Sequence, residues 1–167
     1  MRSVKVSLAL LLTTLVATVQ ASSKAVLFIY ATFTNPSCEI KVPVAYDLGT
    51  LNRGETKTHA PFYISWECGA IPVSTALTAS VVTGKLQGQN QVEMVTGNQD
   101  SGSFLKLREK ADNLFKDIKI TGQKADAFCS ATSNTTRRCE LVPETEVRPN
   151  ATSGQVYATL RFTVTYQ

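Results

Sequence analysis

The sequence predicts an all-β domain, either a sandwich or a barrel. Threonine, valine and serine are abundant, and turn-forming residues recur about every ten positions. Apolar and polar residues alternate in several segments, most clearly near the C-terminus. No long segment shows the period of an amphipathic helix, so strands are expected to build the core.

The C-terminal segment, residues 155–166, has the clearest strand pattern in the chain. Its apolar face carries Ala158, Leu160, Phe162, Val164 and Tyr166. Its polar face carries Thr159, Arg161, Thr163 and Thr165. Such alternation indicates a half-buried strand. An edge strand with one apolar face needs a partner to cover it, so the pattern raises the question of what pairs with this segment.

Shorter strands are predicted earlier in the chain, at 25–34, 44–48, 58–68, 75–83, 91–95, 104–107 and 115–120. In 58–68 the residues Phe62, Ile64 and Trp66 share one face. In 75–83 the residues Leu77, Ala79 and Val81 share one face, with Val82 opposite. Residues 104–115 are compatible with a helix, or with a strand, a turn and a second strand. Residues 125–142 are expected to form a hairpin.

Residues 1–21 are predicted to be a secretory signal peptide. Arg2 and Lys5 give a basic start, an apolar run follows at 6–17, and Ala21 is a small residue at the cleavage position. No later apolar run is long enough to cross a bilayer. The remaining 146 residues suit one domain with its own core. Removing the two basic residues lowers the formal net charge from +4 to +2, which argues against nucleic acid as a partner.

The four cysteines of an exported chain predict two disulfides, for which three connectivities exist. Nearest-neighbour pairing, Cys38–Cys68 and Cys129–Cys139, is the simplest of the three. A zinc site is disfavoured, because neither pair has the short C-x-x-C spacing and the chain has a single histidine, His59.

No enzyme class, cofactor or metal is predicted. His59 is followed by Pro61 in a polar stretch and is expected to be a surface residue. His59 is therefore the single candidate for the histidine of a Ser-His-Asp catalytic triad, and it is a weak one. The chain also lacks a nucleophile elbow, a P-loop and a dinucleotide fingerprint.

The stretch 130–138 between the last two cysteines has two interpretations. The simpler one is a hairpin loop held by the disulfide. The alternative is a rigid display loop that binds an acidic glycan or protein through Arg137 and Arg138.

Four local features occur in order along the chain. The first is the segment NPSCEI at 35–40, in which polar residues and a proline immediately precede the first cysteine. The second is YDLGTL at 46–51, and the third is FYISWEC at 62–68, where alternating apolar residues lead into the second cysteine. The fourth is the ending, with Gly154 fourteenth from the C-terminus and Tyr166 penultimate. Behind a signal peptide, this order resembles the pilin subunits of bacterial chaperone–usher fimbriae, in particular a minor fimbrial subunit.

The resemblance implies an incomplete immunoglobulin-like sandwich that lacks its last strand and is completed in trans. The groove beside the C-terminal strand would be filled first by a periplasmic chaperone and then by the N-terminal extension of a neighbouring fimbrial subunit. An outer-membrane usher would assemble the fibre. The groove and chaperone-binding residues would be Gly154, Ala158, Leu160, Phe162, Val164, Tyr166 and Gln167. The carboxylate of Gln167 would anchor the chain to basic residues of the chaperone.

The resemblance also implies a donor strand in an extension at 22–33, followed by a pilin domain at 34–167. The alternating donor residues would be Ala25, Leu27, Ile29, Ala31 and Phe33. The family usually has glycine seven residues before the first cysteine, where this chain has Ala31. The added methyl is expected to crowd a pocket shaped for glycine. Such a donor favours a special place in the fibre, such as near the tip.

Three functions are compatible with these patterns. The favoured one is a structural minor subunit of a fimbrium, exported through the periplasm to the cell surface and contributing to cell adhesion. The alternative is a single-domain tip adhesin that binds a host-cell receptor or glycan through residues 84–150. The third is a eukaryotic secreted immunoglobulin-like module with a complete second sheet.

Overall fold

A computed structural model describes residues 37–112 and 114–167, which belong to one unit, Asn35–Gln167. The predicted signal peptide at 1–21 and the predicted donor extension at 22–33 lie outside the described residues. Within the described residues no helix is long and apolar enough to cross a membrane.

Antiparallel β-strands of alternating sequence make up most of the described chain. In chain order they are β1 Glu39–Lys41, β2 Thr56–Thr58, β3 Phe62–Glu67, β4 Val73–Thr83, β5 Lys85–Gln87, β6 Gln91–Thr96, β7 Gln99–Ala111, β8 Leu114–Asp117, β9 Phe128–Ser133, β10 Arg137–Val147 and β11 Thr159–Tyr166. One short 3-10 turn, Lys124–Asp126, lies between β8 and β9.

The strands form two sheets. The larger sheet has eight strands, in the order β1-β3-β10-β7-β6-β5, with β2 added beside β10 and β8 beside β7. The smaller sheet has three strands, in the order β11-β4-β9. In the smaller sheet β4 is central, and β11 is an edge strand that pairs with β4 over its whole length.

The core lies between the sheets because inward residues of both contribute apolar side chains at every second position. The buried cluster comprises Ile64, Trp66, Cys68, Leu77, Ala79, Val92, Leu107, Ile118, Ile120, Phe128, Cys139 and Leu141. Leu160, Phe162 and Val164 of β11 pack against this cluster but stay partly exposed. The sandwich is therefore less well closed along β11 than at its centre.

Polar contacts join the two sheets across the core. The indole N–H of Trp66 in the larger sheet donates to Thr75 Oγ1 of β4 at 2.9 Å, and both residues are buried. Arg137, at the start of β10, donates from Nη2 to the backbone carbonyl of Val73 at 2.6 Å and also to that of Ser133. These bonds satisfy backbone and side-chain groups that burial would otherwise leave unpaired.

Two disulfides are present, between Cys38 and Cys68 and between Cys129 and Cys139. The first joins the residue before β1 to the residue after β3, at one edge of the larger sheet. The second joins β9 of the smaller sheet to β10 of the larger one, so it is a covalent link between the sheets.

Several predicted strands are confirmed with adjusted ends. The predicted strands at 58–68, 75–83 and 91–95 correspond to β3, β4 and β6, and Val82 faces solvent opposite the apolar side of β4. Residues 104–115 form the strand–turn–strand alternative rather than the helix, since β7 and β8 pair with each other around Asp112. The last strand begins at Thr159 rather than at 155, and an isolated bridge from Tyr157 to Val95 precedes it.

The predicted hairpin at 125–142 is wrong. β9 pairs with β4 of the smaller sheet, while β10 pairs with β3 and β7 of the larger sheet. The turn between β9 and β10 therefore carries the chain from one sheet to the other. The apolar–polar alternation within each strand would be the same whether β9 and β10 paired as a hairpin or lay in separate sheets. The sequence pattern therefore does not distinguish the two arrangements.

The predicted strand at 44–48 is also wrong, because the described structure has no strand there. β1 ends at Lys41, and Pro43 then removes a backbone donor that pairing with β3 would need. The segment leaves the edge of the larger sheet without gaining a neighbouring strand among the described residues.

Replacement of Thr75 by valine tests the polar link across the core. Thr75→Val is expected to lower the free energy of unfolding by about 1–3 kcal/mol, because the buried Trp66 N–H loses its acceptor. Urea denaturation measures this change. The matched control is Thr132→Val at an exposed position of β9, with an expected effect within about 0.5 kcal/mol. Equal effects of the two substitutions would contradict the assigned role of the bond.

Candidate functional site

A long cleft of about 840 Å³ runs along the free side of β11. One wall is the irregular segment 42–51, and the other comprises residues 151–160 with Phe162. The floor contains Phe62, Met94, Leu105 and Leu107 from the larger sheet. The cleft therefore lies where a further strand beside β11 would close the sandwich.

The backbone of β11 presents alternate residues to this cleft. The amide of Gln167 donates to the carbonyl of Ser74 at 3.0 Å, in register with the β11–β4 pairs. Hydrogen-bonded and non-hydrogen-bonded pairs alternate in an antiparallel ladder. Counting back from Gln167, the backbone groups of Thr165, Thr163 and Arg161 point toward β4.

It follows that the backbone N–H and C=O groups of Leu160, Phe162 and Val164 point away from β4, toward the open edge. Their side chains lie on the inward face and are half-buried. All three residues thus present hydrogen-bonding groups at the edge of the sheet, and Leu160 and Phe162 also present apolar surface to the cleft. An extended peptide with alternating apolar side chains satisfies both requirements at once.

The opposite wall is fixed by Tyr46. Its hydroxyl donates to the carbonyl of Ala60 at 2.6 Å, and its ring centroid lies 5.5 Å from that of Phe62. Further along the same wall, Val44 is fully exposed. A fully exposed valine on the wall of the cleft is apolar surface that an occupant of the cleft would cover.

The two ends of the predicted groove strand have different roles. Gly154 adopts a φ of +138°, and a Cβ there would meet Thr96 Cγ2 at 3.2 Å, so a turn at the mouth of the cleft requires glycine. At the other end, the Tyr166 hydroxyl lies 3.2 Å from Cys38 Sγ of the first disulfide. Tyr166 thereby joins the end of the smaller sheet to the edge of the larger one.

No protein-family model matches the chain, and no curated protein sequence does. Solved structures do resemble it. A chain from a chaperone–usher pilus, in a structure that addresses rod uncoiling, superposes with a TM-score of 0.54 at 16% identity, covering 87% of this chain and 97% of that one. The P pilus rod subunit PapA superposes with a TM-score of 0.56 at 16% identity, covering 78% of this chain and 99% of PapA.

The fold is an all-β, immunoglobulin-like sandwich that lacks a strand. At 16% identity the likeness shows the fold alone. The position of the missing strand is inferred from the structure of this chain and not from the solved structures, because the cleft lies beside the open edge of β11.

The predicted groove residues do not all line the cleft. Gly154, Ala158, Leu160 and Phe162 line it, whereas Val164 contributes to the adjoining core. Gln167 is exposed at the end of the sheet. The predicted donor residues, Ala25, Leu27, Ile29, Ala31 and Phe33, lie outside the described residues.

Sequence analysis missed the floor and most of the opposite wall. Met94, Leu105 and Leu107 lie on strands whose apolar face is ordinary core, so no local signal marks them as part of a site. The wall carried a usable signal, because Val42, Val44, Tyr46 and Leu48 alternate like a strand whose partner is missing.

The display-loop hypothesis for Arg137 and Arg138 is wrong for the first of the two. Arg137 is only 5% exposed and points into the sandwich, whereas Arg138 is exposed and its guanidinium carbon lies 3.5 Å from the centroid of the Tyr63 ring. The pairing of Arg137 with buried Trp66 explains the difference, because directly opposed residues share a face.

His59, expected to be a surface residue, is partly buried beside β10. Its Nε2 lies 2.8 Å from Thr145 Oγ1, a hydroxyl in the neighbouring strand. Partial burial, together with the charge of Lys57, lowers the pKa of His59, and Glu55 raises it by a smaller amount. Across the described residues, no group of three or more metal-ligating side chains is present.

Amide hydrogen exchange tests the assignment of the open edge. In a variant that begins at residue 35, the amides of Leu160, Phe162 and Val164 are expected to exchange at least about tenfold faster than those of Arg161 and Thr163, because the latter donate to β4. NMR-detected exchange gives both sets of rates within one strand, so each set is the control for the other. Equal protection would show that the edge is already paired.

Proposed function

We propose that this chain is a structural subunit of a chaperone–usher fimbria that assembles by donor-strand exchange. It would be exported through the periplasm to the cell surface, where the fimbrium contributes to cell adhesion. Its partners would be a periplasmic pilus chaperone, an outer-membrane usher, neighbouring fimbrial subunits and a host-cell receptor.

The observation that carries this proposal is the coincidence of the open β11 edge with the cleft. Strand addition gains affinity from main-chain hydrogen bonds and specificity from alternate side chains in pockets. Leu160 and Phe162 supply both at one edge, and both line the cleft. The two solved structures described above come from pili, which supports the same interpretation.

The donor in the proposal is the segment 22–33 of a neighbouring copy or related subunit. Its alternating residues Ala25, Leu27, Ile29, Ala31 and Phe33 suit an extended strand with one face in the cleft. The alanine at position 31 replaces the family's usual glycine, so one pocket would be filled more tightly. This supports a minor subunit with a special position rather than a rod subunit.

The C-terminus is the proposed chaperone contact. Gln167 is exposed and is held in register by its amide bond to Ser74. In the proposal, a carboxylate at Gln167 would be bound by basic residues of the chaperone.

An empty cleft has an energetic consequence. Apolar burial contributes roughly 25 cal/mol per Å², so a few half-exposed side chains such as Leu160 and Phe162 represent several kcal/mol. That amount is comparable to the total stability of a domain of about this size. The chain alone is therefore expected to be poorly stable and to be stabilised by a strand in the cleft.

Thermal melting of the chain 22–167, with and without a fused C-terminal copy of residues 24–34, tests the proposal. The fusion is expected to raise the melting temperature by about 10 °C or more, because strand addition contributes several kcal/mol. The matched control is the same fusion with Leu27 and Ile29 of the copy changed to serine, which keeps the length and removes the apolar face.

A further fusion carries Ala31→Gly in the copy and separates a missing groove from an unfit donor, because glycine repairs only an unfit donor. A stable domain whose melting temperature rises with neither the native copy nor the Ala31→Gly copy would indicate a complete sandwich and would contradict the proposal. Deletion of residues 22–30 is expected to abolish donation to a neighbour while leaving the acceptor cleft intact.

A further inference from the structure

The loop between β3 and β4 exposes four consecutive residues that have no polar side chain. They are Gly69, Ala70, Ile71 and Pro72. Ile71 is 69% exposed, and the loop does not line the long cleft beside β11. An exposed apolar run of this length is a fault in a soluble domain unless it has a function. The other such run among the described residues, 42–45, belongs to the wall of the cleft.

The 69–72 loop is held in place on both sides. Before it, Cys68 is buried and forms the disulfide with Cys38. After it, the carbonyl of Val73 accepts a hydrogen bond of 2.6 Å from the buried side chain of Arg137. A loop whose two ends are fixed in advance loses little conformational entropy when a partner covers it. The loop is therefore suited to docking against another surface.

The predicted donor extension joins the domain beside this loop. Four residues, 34–37, separate the last donor residue, Phe33, from Cys38. An extended chain of this length spans at most about 18 Å. The Cα atom of Cys38 lies 4.0 Å from that of Cys68, the residue before the loop. When a donor strand lies in a neighbour's cleft, the short connection therefore keeps the 69–72 loop of the donor subunit near that cleft.

The ends of β11 indicate which part of the neighbour the loop meets. Cys38 lies at the Tyr166 end, because its Sγ is 3.2 Å from the Tyr166 hydroxyl. If the last donor residues also lay at the Tyr166 end of the neighbour's cleft, like ends of successive subunits would meet and crowd together. An open fibre requires a head-to-tail contact between unlike ends. The loop would therefore face the opposite end of the neighbour's cleft, where Tyr157 is 46% exposed.

We infer that the 69–72 loop is a docking surface for a second copy of this chain. Ile71 of the donor subunit packs on the end of the acceptor's cleft beside Tyr157, outside the inserted strand. This inference rests on the proposed function and adds a contact between the two domains to the contact made by the strand. The added contact restricts rotation of one domain about the four-residue connection.

Displacement kinetics test the docking surface. The chain 22–167 is immobilised and loaded with one of two labelled donors. The first donor is a synthetic peptide of residues 22–34. The second is the chain 22–167 with its own cleft filled by the fused copy of 24–34. Both donors insert the same strand, so a difference in their displacement by excess unlabelled peptide measures contacts outside the cleft. The donor protein is expected to be displaced at least about tenfold more slowly, the effect of covering one exposed isoleucine.

Two variants of the donor protein locate the contact. Ile71→Ser is expected to raise its displacement rate about tenfold, because the variant loses the apolar side chain that the acceptor covers. Leu114→Ser is the matched control, since Leu114 is 73% exposed and lies in β8, and no change is expected.

The outcomes separate the docking surface from the proposed function. A donor protein displaced as fast as the peptide, or equal effects of the two substitutions, would overturn the docking surface while strand insertion stands. A chain that binds neither the peptide nor the donor protein would overturn the proposed function and the docking surface together.

Discussion

The unfilled edge of β11 is the constraint on which the rest of this structure depends. A strand contributes a row of backbone donors and acceptors, and these groups require partners wherever water is excluded. In β11 two of the residues that present those groups to the edge, Leu160 and Phe162, also present apolar side chains to the cleft. The same residues therefore need both hydrogen bonds and apolar cover, which makes completion of the sheet and recognition of a partner one physical event.

The sandwich must hold its sheets together without the strand that would close it. The described structure does this with contacts spread along the interface. The indole of Trp66 donates a hydrogen bond to Thr75 in the core, Arg137 donates to backbone carbonyls of β4 and β9, and the disulfide Cys129–Cys139 joins β9 to β10. These three ties reach β4 or β9 rather than β11, whose outer edge has no neighbouring strand among the described residues.

Strong alternation made parts of the fold predictable from sequence. The strands at Phe62–Glu67 and Val73–Thr83 were predictable because their apolar residues recur with period two and bury the same face. The segment at 44–48 alternates too, yet it is not a strand, since a strand also needs a neighbour to pair with. The strands on either side of Ser133–Arg137 alternate in either sheet arrangement, so only tertiary packing shows that the chain changes sheets there.

The sequence by itself determined the all-β class, the strand faces and the apolar face of the last strand, because each of these is a local pattern of side chains. The position of the cleft was decided by tertiary structure, since its floor brings Met94 and Leu107 against residues far along the chain. The burial of Arg137 was decided in the same way. Its neighbours in sequence are polar, and only its pairing opposite Trp66 turns it into the sandwich. Local patterns specify which face of a strand is apolar, whereas contacts between distant segments specify what that face meets.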